Sequence, residues 1–230
     1  MKINKLNSFF KRFFDIIFSF CILVITSPIL ILIVISIYIL SPGPIFYKAR
    51  RSGLNNRSFN MYKFRSMKIR KSIDENKLIT APNDNRIYPF GLFIRRFKLD
   101  ELPQFVNVLK GQMSIVGPRP EDPLIVQKYY NKWMLETLSI KPGITGPGSV
   151  YGYLKGESLI TKINPLKSYV DNLLIPKLAL ERAYLERTNL LNDFHYIILT
   201  IFSIIAFSLK LKINLPKKDI QLAQYIQNNM

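Results

Sequence analysis

Cysteine and histidine are nearly absent: Cys21 and His195 are the only residues of their kind. One cysteine excludes a disulfide framework and any zinc site built on cysteines. One histidine argues against a histidine-rich metal centre and against a Ser-His-Asp hydrolase. Negative charge is scarce as well, with 15 Asp and Glu against 33 Lys and Arg, for a formal net charge of +18. The chain is still no disordered basic tail, because 48% of its 230 residues are apolar and only 21% are charged. Such an excess of basic charge suits nucleic acid or an anionic membrane surface.

The longest run without charge favours the membrane. From Ile16 to Leu40 the chain reads IIFSFCILVITSPILILIVISIYIL, 25 residues, and at about 1.5 Å per residue it could cross a hydrocarbon core of about 30 Å. It is too long for a signal peptide and lacks a small-residue cleavage site. Ser27-Pro28 stands at its midpoint, where proline removes a backbone donor and bends or breaks a helix. Both flanks are basic, with Lys2, Lys5, Lys11 and Arg12 before it and Lys48, Arg50, Arg51 and Arg57 after it. Spanning helices keep Lys and Arg on one side, so two basic flanks suit a segment that enters and leaves on the same face. A kinked spanning helix satisfies the same composition. A second apolar stretch, Phe194 to Leu209, is followed by Lys210, Lys212, Lys217 and Lys218 and reads as an interfacial or core helix.

Between these stretches lies a basic body. Pro42, Gly43 and Pro44 mark the exit from the apolar segment, and IFYKAR and SFNMYKFRSM, separated by SGLNN, predict a hairpin. Residues 68–88 are polar and read as a loop with a helical turn. Leu92, Ile94, Leu99, Leu102, Phe105, Val106 and Leu109 recur at helical spacing, which predicts a helix over 90–110 with Gly111 as its stop. A turn region, a helix from Leu124 to Leu138, a second turn cluster KPGITGPGS, and helical alternation over 165–190 follow. The expected fold class is α+β and predominantly helical. Residues 1–43 would form the basic N-terminus and membrane segment, and 44–230 a membrane-associated domain with a small hairpin.

The scarce carboxylates cluster. Asp100 and Glu101 head the predicted helix with Pro103 in its first turn, which helix capping alone would explain. Arg95, Arg96 and Lys98 precede the pair, however, and Lys110 and Arg119 follow it. That setting would lower a carboxylate pKa and hold phosphate groups. Two carboxylates facing an anionic diphosphate call for a cation, and Mg2+ held by Asp100 and Glu101 with substrate oxygens is the usual solution. The chemistry indicated is phosphoryl transfer through an aspartate nucleophile. In GPRP, Gly117 to Pro120, a rigid turn would offer the Arg119 guanidinium in a fixed direction. Lys63 and Arg65, two apart in a strand, would share a face. Asp84 and Arg86 could pair locally, and His195 in an apolar stretch reads as structural.

Taken together, these blocks resemble the bacterial sugar transferase family, the monotopic phosphoglycosyl transferases, in a short single-domain form. The matching segments run in order: KRFFD, the apolar stretch with Ser27-Pro28, SPGPIFYKARRSG, FNMYKFRSM, DNRIYPFGLFIRR, LDELPQFVNVLKGQMSIVGPRP, KPGITG, and Tyr184, Asp193 and Thr200. The resemblance implies a re-entrant membrane helix broken at Ser27 and Pro28, at the cytoplasmic face of a bacterial inner membrane. It implies a ping-pong reaction in which Asp100 attacks a UDP-sugar, UMP leaves, and undecaprenyl phosphate accepts the phosphosugar. Glu101 would partner Asp100 with Mg2+, Arg95, Arg119 and Pro120 would bind phosphate groups, and Lys63 and Arg65 would line a basic strand nearby. The implied partners are a UDP-sugar donor, undecaprenyl phosphate and membrane lipids, not nucleic acid, with a homodimer left open. The chain departs from the family at Tyr153, where many members have a nucleotide-binding arginine. Lys155 is the nearby candidate replacement, within a branch that carries a later Pro176-Lys177. Glu181 stands where an aspartate is common. The competing reading, a membrane-anchored basic module for anionic lipid or nucleic acid, leaves the adjacent carboxylates unexplained.

Overall fold

The computed structural model describes residues 5–68, 78–81, 84–209, 211 and 216–228. Parts of the segment expected as a loop with a helical turn, residues 69–77, 82 and 83, lie outside the described residues.

Helix α1 runs from Lys5 to Leu40 with Pro28 inside it. Helical hydrogen bonding carries on through Ser27-Pro28, the point at which the sequence predicts the segment to turn. Proline cannot donate to the carbonyl four residues back, and that carbonyl belongs to Val24. The Ser27 hydroxyl donates to it at 2.8 Å and replaces the missing amide hydrogen. Phe20, Val24, Ile25, Ile31 and Leu32 stay exposed in the middle of α1, which makes the chain membrane-associated. Its two ends do not stay exposed. Near the start, Asp15 is buried and accepts from the Ser114 hydroxyl at 2.8 Å and from the amide of Ile115 at 3.1 Å. Arg12 donates to the carbonyls of Val108 and Leu109 at 2.7 and 3.1 Å. Near its end, Ile33 and Ile37 are buried against Phe64 and Ile94, each worth about 1.5–3 kcal/mol of burial. Both ends of α1 are fixed to one body.

That body begins with the predicted hairpin. Strands β1 (Phe46–Ser52) and β2 (Ser58–Phe64) pair antiparallel, from Phe46 opposite Phe64 to Ser52 opposite Ser58. The turn between them uses Asn55 and Asn56 at φ 52° and 59°, the left-handed region that asparagine tolerates best after glycine. Beyond it, Met67 bridges to Ile87, and Asp84 pairs with Arg86 as expected.

The helix expected over 90–110 is two helices. Helix α2 spans Pro89–Arg96 and helix α3 spans Gln104–Leu109, with a single 3-10 turn, Leu99–Glu101, between them. Lys98 breaks the run by adopting φ 56°, ψ 20°. Gly111 at φ 76° ends α3, the stop predicted for it.

Two turn clusters that are remote in sequence then pair. Strand β3 (Ser114–Val116) lies parallel to β4 (Gly143–Thr145), and the amide of Gly117 and the carbonyl of Pro118 extend the contact, so the start of GPRP is laid against KPGITG. Their backbones approach so closely that a Cβ on Gly143 would stand 2.2 Å from the Gly117 nitrogen. The second cluster, read as a turn, continues into helix α6. Before it come α4 (Pro123–Tyr129) and α5 (Lys132–Leu135), capped by Asp122 and Asn131, where one longer helix was expected. Helix α6 covers Pro147–Leu159. Helices α7 (Pro165–Tyr169) and α8 (Ile175–Leu185) flank a π-helical turn, Val170–Leu174. Helix α9 (Leu190–Leu209) is amphipathic, burying Asp193, Tyr196, Ser203 and Ala206 while Phe194, Ile198, Ile201 and Phe202 are exposed. Helix α10 (Lys217–Asn228) packs on α8. The main core joins Ala49 and Met61 of the hairpin to Val108, Met113, Val116, Tyr184 and Tyr196, with Phe14 and Phe18 of α1 packed on it. The α+β, mostly helical class is as expected.

Candidate active site

The site is built at the break between α2 and α3. Because Lys98 turns left-handed, the single turn after it carries Asp100 and Glu101 inward, and both are buried. They do not head a long helix, so capping does not explain them. Glu101 is gripped by two cations. Arg119 donates to Glu101 Oε1 at 2.6 Å and to Oε2 at 3.2 Å, and Lys63 Nζ donates to Oε1 at 2.9 Å. Burial opposes ionisation, yet Arg119 and Lys63 hold Glu101 well below the usual carboxylate range. Asp100 differs. Burial raises its pKa, against the pull of Lys63, and its Oδ1 has no hydrogen-bond partner among the described residues. The sequence-based expectation of a lowered pKa thus holds for Glu101 and is corrected for Asp100, because fixed partners reach only Glu101.

Arg119 is itself fixed from behind. Its amide donates to Glu181 Oε1 at 2.9 Å, and its Nη1 lies 3.5 Å from the carbonyl of Ile144 and 3.5 Å from the Tyr153 hydroxyl. Glu181 is buried, and burial pushes its pKa up to about 7. The next residues along the chain continue the support. Pro120 is buried and offers neither an amide hydrogen nor a polar side chain, so it shapes the turn. Glu121 accepts from Lys177 at 2.7 Å and from the Tyr169 hydroxyl, with all three residues buried. Burial notwithstanding, Lys177 holds Glu121 at about 2.

The other expected site residues divide. Lys63 enters the site. Arg65 does not join Glu101: its guanidinium donates to the carbonyls of Ser41 and, at 3.2 Å, Pro42, closing the exit of α1. Arg95 stands at the end of α2 with Nη1 3.4 Å from the Ser66 hydroxyl, near enough to lower the Asp100 pKa. Lys155 is exposed on α6, and two positions beyond Tyr153 turn it about 200° around the helix. The cation nearest the Tyr153 ring is Lys98, whose Nζ lies 4.3 Å from the ring centre, with the Arg119 guanidinium at 6.0 Å. Sequence reasoning counted Lys98 only as part of a basic setting, since nothing in the sequence signals its left-handed backbone. Glu181 and the Glu121–Lys177 pair also went unrecognised as supports.

Among the described residues no three His, Cys, Asp or Glu side chains converge on a metal position. Magnesium commonly takes one or two carboxylates and completes its shell with water and phosphate oxygens. The buried, partnerless oxygen of Asp100 fits that role, whereas Glu101 would share it only by giving up a cation contact.

The chain belongs to the bacterial sugar transferase family, whose model matches residues 6–207. It is 39% identical over 161 residues to the UDP-glucose:undecaprenyl-phosphate glucose-1-phosphate transferase of Escherichia coli, covering 68% of this chain and 34% of that one. It is 36% identical over 196 residues to the undecaprenyl-phosphate glucose phosphotransferase of Komagataeibacter xylinus, covering 83% of this chain and 35% of that one. An Aeromonas hydrophila relative, a UDP-N-acetylgalactosamine-undecaprenyl-phosphate N-acetylgalactosaminephosphotransferase, is 37% identical over 153 residues, covering 65% of this chain and 36% of that one. The chain thus spans about a third of the length of these curated relatives.

Proposed function

We propose that the chain transfers a phosphosugar from a UDP-sugar to undecaprenyl phosphate, initiating a surface glycan at the cytoplasmic face of a bacterial inner membrane. The observation that carries this reading is the partnerless, buried oxygen of Asp100 beside a Glu101 that is locked in ionic contacts. One carboxylate is held still and the other is left able to react. Asp100 attacks the β-phosphorus of the donor. The bond from that phosphorus to the bridging oxygen breaks, UMP leaves with the bridging oxygen, and an aspartyl phosphosugar remains. An oxygen of undecaprenyl phosphate then attacks the same phosphorus, which frees the Asp100 carboxylate and yields undecaprenyl-diphospho-sugar. Magnesium, for which Asp100 would supply the carboxylate oxygen, would neutralise charge on the diphosphate. Arg119, Lys63 and Arg95 supply fixed positive charge around the carboxylates.

The docking of α1 supports a re-entrant path, since Asp15 and Ile37 both reach the same body. That path would seat Asp100 at headgroup depth, where a polyprenyl phosphate presents its anion. The test uses protein in nanodiscs with Mg2+, undecaprenyl phosphate and a panel of UDP-sugars, with nucleotides separated by chromatography. UMP released from one donor supports the reaction. UDP released in its place would mean that the sugar alone moves, and would overturn the role of Asp100.

A further inference from the structure

Four cations, Lys63, Arg95, Lys98 and Arg119, act on the Asp100–Glu101 pair. Two positive charges therefore exceed the carboxylates, a setting that favours an anion. The four are not equally free to meet it. Glu101 occupies Lys63 and Arg119. Arg95 leans on the Ser66 hydroxyl. Lys98 has no carboxylate within ion-pairing distance among the described residues, and its ammonium is seated on the face of Tyr153. The same ring places its hydroxyl 3.5 Å from Arg119 Nη1. Lys98 also sits in a left-handed backbone conformation, φ 56°, which costs a lysine free energy and aims its side chain from a fixed point one residue from the Asp100 turn.

We infer that Lys98 and Tyr153 act as one unit that binds the diphosphate of a uridine nucleotide, replacing the arginine expected at position 153. Tyr153 is the positioning member: its ring holds the ammonium in place by cation–π attraction and spans the gap to Arg119. Lys98 is the binding member. This inference rests on the proposed donor class and specifies how this chain holds it.

The probe is UDP with Mg2+, titrated into protein in nanodiscs, with thermal unfolding recorded for each variant. Lys98→Asn removes the charge while tolerating the left-handed backbone, and UDP affinity is expected to fall about 10- to 100-fold. Tyr153→Leu is expected to weaken UDP about 3- to 10-fold through loss of the seat, and Tyr153→Phe to stay within about 2-fold because the ring remains. In the Lys98→Asn background, Tyr153→Leu should add little further loss, and Tyr153→Arg should restore most of the affinity. Lys98→Asn that melts like wild type and binds UDP equally would overturn the inference, as would a Tyr153→Leu penalty that is undiminished in that background. If Lys98→Asn fails to fold, Lys98→Arg decides. Retained UDP binding in that variant, lost on adding Tyr153→Leu, supports the unit, and no response to Tyr153→Leu overturns it. A wild-type protein that binds UDP but releases UMP from no UDP-sugar would sink the proposed reaction and leave this inference standing. One that binds no UDP would overturn this inference.

Discussion

Arg119 holds both oxygens of Glu101, at 2.6 and 3.2 Å, while the neighbouring Asp100 keeps a buried oxygen with no partner among the described residues. Adjacent carboxylates on one turn are thus made chemically unequal by what reaches them.

That inequality sets the first prediction. Asp100→Asn keeps shape and loses the nucleophile, so UMP release should fall by about 10^3-fold or more with the melting temperature near wild type. Intact mass spectrometry with donor and no acceptor should show a phosphosugar adduct on wild type and none on the variant. An adduct retained in Asp100→Asn would move the nucleophile elsewhere.

Glu101→Gln should behave differently. Removing one partner of a buried ion pair costs about 3–5 kcal/mol, because Arg119 and Lys63 are left without their carboxylate. Thermal unfolding should drop by several degrees together with activity. Activity lost at unchanged stability would argue that Glu101 is catalytic without being structural.

Arg65→Met should act at the membrane exit. Its guanidinium donates to the carbonyls of Ser41 and Pro42, and unpairing them costs about 1–3 kcal/mol. Donor KM should stay within about 2-fold of wild type, since binding energy made equally in ground and transition states is what KM reads. A selective rise in donor KM at unchanged stability would return Arg65 to the substrate.

Ser27→Ala should destabilise α1 by about 1 kcal/mol, because the Val24 carbonyl loses the hydroxyl that meets it at 2.8 Å. Pro28→Ala in the same chain restores an amide hydrogen at that place and should recover the loss. Unfolding in nanodiscs reads both, and a harmless Ser27→Ala would show that the carbonyl finds another donor.

Glu181 gives the pH prediction. Its folded pKa is about 7 against an ordinary value of 4.5, so the folded state holds an extra proton between those values. Stability must then fall as pH rises through that window, by up to about 3 kcal/mol. Glu121, held at about 2, titrates below the window and does not mask the slope. Glu181→Gln should make the slope shallower, leaving the part that the raised Asp100 and Asp193 carboxyls contribute, and should melt higher than wild type at pH 7.5. Parallel profiles would mean that Glu181 ionises at its ordinary pKa.

Much of this molecule was legible because its signals are local. Alternating aromatics around SGLNN specify the hairpin, and a carboxylate pair within a basic stretch marks the site in a chain so poor in acid. What failed depends on partners far along the chain. The apolar spacing from Leu92 to Leu109 continues through Lys98, and only the structure shows the break there. Strands of three residues, β3 and β4, carry too little pattern to announce a parallel pairing, so Gly117 and Gly143 read as turn residues. Lys98 and Tyr153 meet across 55 positions, a distance at which no spacing rule operates. Arg65 was assigned by strand alternation, which fixes a face but not the acceptor that waits there.

The burial of Ile33 and Ile37 against Phe64 and Ile94 bears on how this protein can be handled. Its anchor is also part of its interior. Cutting away the first 40 residues to obtain a soluble fragment would strip the lining from the hairpin and α2, remove the Asp15 acceptor from β3, and leave bare apolar walls. The expected product is an aggregating remnant, so detergent or lipid belongs in the preparation from the first step of extraction.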